Sequence, residues 1–406
     1  MTTMIDPPKA AGFHISQLLY DTRYRSMTIQ VIVFLLVMGL GAYLLNNTII
    51  NLAAADKDID FGFLGNRAGY DINQLLIPYS SDSTHWRATI VGLLNTLLVA
   101  FLGCILATII GVVAGVLRLS KNWLTAKIMS FYVESFRNIP VLLWILAFFA
   151  VLSEMDRKPR SFRGEDAVNN MWLWDSVAVT NRGTYIPAPI WGDGSALVVI
   201  TFLLSLLGIW AYGKWSHRRF EATGQILPNF WYKLGIFIVP SLAVFFLLGR
   251  PIALSIPEIK GFNFSGGLHI RNSLLALWLA LSFYTGSFIA EIVRSGILAI
   301  SKGQTEAAAA LGLRPSRTMN LVILPQALRI IIPPLISQYL NLTKNSSLAL
   351  AVGYMDLRST LGGTTLNTTG RELECMLLMM MVYLAVSLTI STFMNVYNNS
   401  VKLKER

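Results

Sequence analysis

Apolar residues recur along the chain in blocks too long for an ordinary soluble helix, separated by short polar stretches. Eight blocks come near the roughly 20 residues that a bilayer core demands; they lie at about 28–50, 88–116, 128–152, 196–212, 232–249, 273–294, 320–342 and 375–396. Each predicts a membrane-spanning helix, because a backbone in hydrocarbon must satisfy its hydrogen bonds within the segment. The seventh is interrupted by Pro325 and the pair Pro333–Pro334, whose freed carbonyls neighbouring helices and polar side chains can satisfy. Between the first two blocks, residues 53–87 include FGFLGNRAGYDINQLLIPY, a stretch that suits a short amphipathic element along the membrane surface. Residues 153–195 hold Trp172, Trp174 and Trp191 with Pro187 and Pro189, which predicts an ordered loop anchored at the interface, not a linker.

Composition supports an all-α, polytopic membrane protein. Of 406 residues, 54% are hydrophobic and 14% charged, against about a quarter charged in soluble domains. A net charge of +11 would suggest nucleic acid for a soluble chain, but here the cations flank the spans and orient them. Lys9, Arg23 and Arg25 precede the first span; Arg118, Lys121 and Lys127 follow the second; Lys214, Arg218 and Arg219 follow the fourth; Lys402, Lys404 and Arg406 close the chain. Eight spans put all four groups on one side, so both termini are expected to be cytoplasmic. Arg157, Lys158, Arg160 and Arg163 then fall outside, in a loop long enough to escape the positive-inside rule. A long polar segment precedes the first span, so that span is expected to be retained rather than cleaved as a signal.

Few residues suggest chemistry. Cys104 and Cys375 have no metal or redox spacing and fit buried, inert thiols. His14, His85, His217 and His269 are scattered and expected at surface or interfacial positions, with no metal site. GIWAYGKW, from Gly208 to Trp215, has phosphate-loop spacing, but Trp215 stands where a Ser or Thr must contact magnesium, and the stretch ends a span. No cofactor is expected on this chain.

The stretch EAAAALGLRPSRTMNLVILP, residues 306–325, is different in kind. Ser301 and Gln304 have capping-box spacing, TEAAAAL is a strong helix former, and Gly312 suits a left-handed helix end. Pro315 fits the first turn of a second helix that re-enters the bilayer. A short polar helix protruding from a membrane protein is something a partner can grip, with Glu306, Arg314 and Arg317 at its rim; an ordinary solvated connector has the same composition.

Glu306-Ala307-Ala308, Gly312, Val322 and Leu324-Pro325 together resemble the EAA motif of ABC-importer permeases, with Val322 where Ile is usual. In that family the stretch forms a coupling helix, here near 300–317, that docks into a cytoplasmic ATPase. YVESFRNIPVLLWILAFF (132–149), FIAEIVRSGILAISKGQTEAA (288–308) and NLTKNSSLALAVGYMDL (341–357) are similar to polar amino-acid importer permeases, and GLLNTLLVAFLGCILATIIGVVAGVLRLS (92–120) fits their first core span. The larger permease of general L-amino-acid importers is the nearest pattern. The resemblance implies a type I ABC-importer permease core of five helices in two parts, 86–152 and 272–406. Spans one, four and five would be additions, carried by segments 1–85 and 153–271. It further implies a bacterial inner-membrane location, a second, different permease subunit, a cytoplasmic ATPase dimer that binds ATP and magnesium, and a periplasmic amino-acid-binding protein.

Charges inside the spans are costly, by about 2.5–3.5 kcal/mol on insertion scales. Glu134 and Arg137, just before Pro140, and Glu291 and Arg294 each sit three apart on a helical face, and Lys344 follows the seventh span. Each pair can merely neutralise itself. Alternatively, Arg137 takes the carboxylate of an amino acid and Glu134 or Glu291 its ammonium, with Pro140 opening the helix to line a cavity; Arg294 then braces the coupling loop. An ion-driven secondary transporter predicts inverted repeats, which the two halves do not show. An ABC permease for another polar solute, such as an opine, stays open.

Overall fold

In the computed structural model of the chain, the described residues are 20–54, 59–163, 169–225, 227 and 229–401. Among them, seven helices are long and apolar enough to cross a membrane, or eight if one bent pair counts as a span. The helices used below are α1 (Thr22–Ala54), α2 (His85–Leu117), α3 (Trp123–Asn138), α4 (Val141–Ser153), α5 (Ser195–Thr223), α6 (Asn229–Leu247), α7 (Asn272–Leu298), α8 (Lys302–Ala310), α9 (Pro315–Thr318), α10 (Leu324–Asn345) and α11 (Glu372–Val401). Residues up to Phe63 form one compact unit and Leu64 onward another. The first unit is dominated by α1, whose apolar side chains are exposed along its length.

The third expected span is not one helix. α3 and α4 meet at 108°, because Ile139 is extended and Pro140 caps α4. Proline forbids the helical conformation of the residue before it and cannot donate a backbone hydrogen bond. The seventh span absorbs its prolines. Pro325 lies in the first turn of α10, Pro333 and Pro334 lie inside it, and a five-residue π-turn, Met319–Ile323, joins it to α9.

The second unit is built around α2 and α7. Small residues line the buried face of α2, at Gly92, Thr96, Ala100, Gly103, Ala107, Gly111 and Gly115; Gly111 and Gly115 face α7, so those two backbones approach closely, while Gly103 faces Leu342 of α10 and Gly92 faces residues 356–360. A Cβ on Gly111 would stand 2.5 Å from the Ile289 Cβ and 2.9 Å from the Gly286 carbonyl oxygen, and one on Gly115 would stand 2.7 Å from the Ala290 carbonyl oxygen. α4 and α10 also pack on α7, and α11 packs on α10. Leu277, Leu281, Ile289 and Leu342 are fully buried at this junction. With the bent pair, these elements make the expected core of five, and α1, α5 and α6 are the additions. α5 and α6 pack chiefly on each other, and α6 buries no residue.

Two expectations for the connecting segments are corrected. The quoted stretch, 61–79, forms no amphipathic helix: beyond the short 3-10 turn Gly62–Gly65 it is irregular. Ala68 and Ile72 pack on Ala88 and Val91 of α2. His85 is buried rather than interfacial, its Nδ1 3.2 Å from the Thr365 hydroxyl; His14 lies outside the described residues.

Among the described residues of 153–195, short strands pair with one another and with strands from beyond α6. β1 (Ala178–Thr180), β2 (Gly183–Ile186) and β7 (Leu268–Arg271) form one antiparallel sheet; β3 (Ala188–Trp191) pairs with β4 (Ile252–Ser255), and β5 (Glu258–Lys260) with β6 (Asn263–Ser265). Their small core is Ala178, Tyr185 and Phe264, with Phe162, Met171 and Ile259 against it. Leu173, Trp174 and Asp175 have φ of 51°, 55° and 55°, a left-handed run costing about 1–2 kcal/mol per residue. Trp172 and Val177 exchange backbone hydrogen bonds of 2.7 and 3.0 Å around it, and the Arg157 guanidinium lies over both the Trp172 and Phe162 rings.

Candidate functional site

Where α2, α3 and α7 converge, five charged side chains meet. Arg118 caps α2 and is nearly buried; its Nη1 donates to Glu291 Oε2. Arg137, in the last turn of α3, lies 3.8 Å from the same carboxylate oxygen, and Arg294 reaches Glu291 Oε1 at 3.2 Å. Glu134 lies 3.8 Å from Arg118 and is mostly exposed. Three arginines therefore face two glutamates, and the cluster keeps one net positive charge.

Glu134 and Arg137 do not pair with each other. Arg137 turns toward Glu291 of α7, and Glu134 lies near Arg118 while accepting from Asn138 Nδ2 of its own helix at 3.4 Å, so the i,i+3 spacing places the two on one face without joining them. The Glu291–Arg294 pair does form. Glu291 is shared among three guanidinium groups, which leaves little capacity for a substrate ammonium. Arg137 is less committed: its guanidinium lies over the Phe288 ring at 5.3 Å, and its Nε has no hydrogen-bond partner among the described residues. Aromatic rings wall the bend beside it, with Phe136 stacked on Trp144 at 4.0 Å and on Phe283 at 5.7 Å. Lys344 is exposed near the end of α10 and makes no ion pair among the described residues.

One turn past the end of α7, α8 projects from the bundle. Ser301 sits at its N-cap, but its side chain caps nothing, so the expected capping box is not formed. Gln304 instead accepts a bond from Gln326 of α10 at 3.2 Å. Of α8 only Ala308 is buried; Glu306 and Ala307 are exposed, as are Arg314 and Arg317 beyond the helix. Gly312 ends the turn with φ 76° and open space where a Cβ would stand, and Pro315 opens α9. The motif thus divides by task. Ala308 must be small to lie against the bundle, Gly312 must be left-handed, and Glu306, Arg314 and Arg317 stand exposed. Leu324, at the start of α10, lines an apolar cavity of about 500 Å³ between α2, α7, α10 and α11, and Pro325 lies beside it in sequence.

Sequence reasoning missed three residues. Arg118 was read only as a topology signal, although an arginine just past a span is within reach of an acid on a neighbouring helix. Leu311 is 81% exposed at the tip of α8, an apolar side chain held out among charges. Asp356 is fully buried, accepting from the Ser359 backbone and hydroxyl at 2.9 Å and from Tyr383 at 3.2 Å. It fixes a broken segment against α2, where Leu357 N donates to the Thr96 hydroxyl at 3.0 Å and Asn95 donates to Met355 O at 2.9 Å.

Residues 206–402 match the model of the family described as binding-protein-dependent transport system inner membrane component. The chain is 57% identical to the glutamate/glutamine/aspartate/asparagine transport system permease protein BztB of Rhodobacter capsulatus, over 100% of both chains. It is 44% identical to the general L-amino acid transport system permease protein AapQ of Rhizobium johnstonii, over 98% of each. Among solved structures it is similar to an amino acid ABC transporter with histidines, at 18% identity and a TM-score of 0.45, covering 78% of this chain and 95% of that one. The chain belongs to this family of inner-membrane permease subunits of ABC importers. It is a multi-pass membrane transport subunit.

Proposed function

We propose that this subunit carries L-amino acids, with glutamate, glutamine, aspartate and asparagine among them, from the periplasm to the cytoplasm. The observation that carries the reading is the ionic cluster: a net positive charge at the α3–α4 bend, with Arg137 incompletely satisfied. A substrate α-carboxylate can bind Arg137 through charge-assisted hydrogen bonds, and Glu134, exposed and held at 3.8 Å by Arg118 and by a 3.4 Å bond from Asn138 Nδ2, can take the ammonium. Glu291 and Arg294 hold α7 in register with α2 and with the start of α8. The substrates named for the relative that is 57% identical support the same range.

In this reading α8 seats in a cytoplasmic ATPase dimer, which binds the ATP and magnesium, through Glu306, Arg314, Arg317 and the exposed Leu311. Both termini lie on that side. A second, different permease completes the membrane pathway, and a periplasmic binding protein delivers the amino acid.

The test is uptake of labelled glutamate, glutamine, aspartate, asparagine and lysine in cells carrying the complete system. Arg137→Gln is expected to lower kcat/KM by roughly 10–100-fold while leaving ATPase co-purification intact. Glu306→Arg is expected to abolish both uptake and co-purification of the ATPase with the subunit still inserted. Undiminished uptake by Arg137→Gln would refute the substrate role, and ATPase-independent uptake would refute the importer reading.

A further inference from the structure

The β-layer presents two exposed apolar tips that none of the described residues covers. At the first, Trp174 is 96% exposed and Leu173 66% exposed, held out by the left-handed run described above. At the second, Phe262 is 86% exposed in the β5–β6 turn. The tips share one small core: Phe264 packs against Tyr185 at 5.0 Å and Phe162 at 5.5 Å, the Tyr185 hydroxyl donates to Asn263 beside Phe262, and Arg157 covers both Phe162 and Trp172.

Register places both tips away from the bilayer. β7 runs directly into α7, and Asn272 donates to Leu152 O at the end of α4 and to Asn181 O just beyond β1. That end of the sheet, where Thr180 faces Gly183 and Gly183 faces Arg271, is fixed at the span ends. Ala178 faces Tyr185 and Ile186 faces Leu268 at the other end, and the Trp174 turn extends β1 beyond it. From Thr180 back to Val177 is about 10 Å of strand, and the turn adds to that. The second strand pair behaves alike: Trp191 and Ile252 lie next to α5 and α6, while Ala188 and Ser255 lie farther out, and the β5–β6 hairpin follows from that outer end. Interfacial anchoring, the expectation for Trp174, does not suit this placement.

Lys158, Arg160 and Arg163 stand exposed around the helical turn that supplies Phe162, with Asp156 and Asp175 exposed in the same region and Lys260 paired with Glu258, so among the described residues unpaired cations are in excess by one. Aromatic anchors inside a charged rim are the pattern of a protein-binding hot spot, and cations at the rim steer an anionic partner.

We propose that the Trp174 and Phe262 tips form the docking face for a soluble extracytoplasmic protein with an apolar hollow and an acidic rim, the amino-acid-binding protein of this transport system. The proposal rests on the importer reading above and locates its delivery step. Docking there holds the binding protein through a rigid layer whose strands lead into α7, the helix that carries Glu291 and ends beside α8.

The test uses the complete transporter, with its ATPase and second permease, in nanodiscs. Binding of the system's own amino-acid-binding protein and the ATPase stimulation it causes are measured for wild type and for Trp174→Ser with Phe262→Ser. Both side chains are almost wholly exposed, so the variant is expected to keep the wild-type thermal transition. It is expected to bind about 30-fold more weakly and to lose stimulation at sub-saturating binding protein. Lys158→Glu with Arg160→Glu is expected to slow association and flatten its salt dependence. Wild-type binding and stimulation in the serine variant would overturn the docking face and leave the importer reading standing. Stronger quenching of wild type than of Trp174→Phe by brominated lipid would also overturn it, by placing Trp174 in the bilayer. If binding protein fails to stimulate even the wild type, the importer reading falls and the docking face with it.

Discussion

α2 and the α5–α6 hairpin are both apolar enough to cross a membrane, yet they are built on opposite rules. α2 buries a stripe of small residues against α7, α10 and residues 356–360 at near-contact distance, whereas α6 buries none of its residues and α5 only a few. Hydrocarbon solvates leucine as well as a protein interior does, so hydrophobicity alone does not hold one span to another. Close approach and polar links do. The contrast teaches which spans belong to the machine and which accompany it: the core is recognised by what is missing from its side chains, the additions by how fully they expose theirs.

The sharpest way to break the contrast is to fill the stripe. Gly111→Leu drives a side chain into the Ile289 Cβ and the Gly286 carbonyl, and the backbone wall cannot yield. Overpacking costs about 1–3 kcal/mol or more, so we expect a lowered thermal transition and loss of uptake; the same activity and transition as wild type would show that α2 and α7 are not closely apposed. Next comes Glu291→Gln, which leaves Arg118, Arg137 and Arg294 facing one another. Breaking a buried pair costs about 3–5 kcal/mol, and with Glu291 partly accessible we expect the lower end of that range. A double-mutant cycle with Arg118→Gln should recover part of it, and strict additivity would show the two side chains to be uncoupled.

A smaller effect is expected from pH in the β-layer. Burial of His269, whose ring stacks on Tyr185 at 4.3 Å, holds its pKa below the ordinary value of 6.5. The unfolded layer therefore takes up a proton first, so stability is complete above about 6.5 and declines as pH falls toward the lower folded value. Hydrogen exchange of β1, β2 and β7 should quicken between pH 7.5 and 5, and His269→Asn should remove that slope. The smallest effect belongs to the added hairpin. Leu204→Ala and Leu207→Ala, both on exposed positions of α5, should each change stability by less than about 0.5 kcal/mol. A loss comparable with that of Gly111→Leu would mean that the hairpin is as tightly built as the core.

Much of this was legible in the sequence, because membrane spans and the coupling motif are local signals. Block length located the spans, Pro140 marked the break, and Gly312 marked the turn after α8. The partners of Glu134 and Arg137 were not legible, since helical spacing states which residues share a face but not which helix that face meets. The stripe at Gly92, Gly103, Gly111 and Gly115 was present in the sequence and passed unread inside a block treated as uniformly apolar. The strands were hidden for a different reason: β2 pairs with β7 and β3 with β4 across two intervening helices, and no local pattern records a pairing that distant.

That distant pairing also says how the additional hairpin is attached. Trp191 and Ile252 face each other across the β3–β4 ladder, and Gly192 N donates to Pro251 O at 2.8 Å. The chain therefore leaves for α5 and returns from α6 through a doorway one strand spacing wide. A two-residue turn of about the Asn-Gly type could close that doorway and turn β3–β4 into an ordinary hairpin. The two membrane helices are a cassette, set into the outer layer at a point where the backbone was already doubling back, and the permease core is continuous without them.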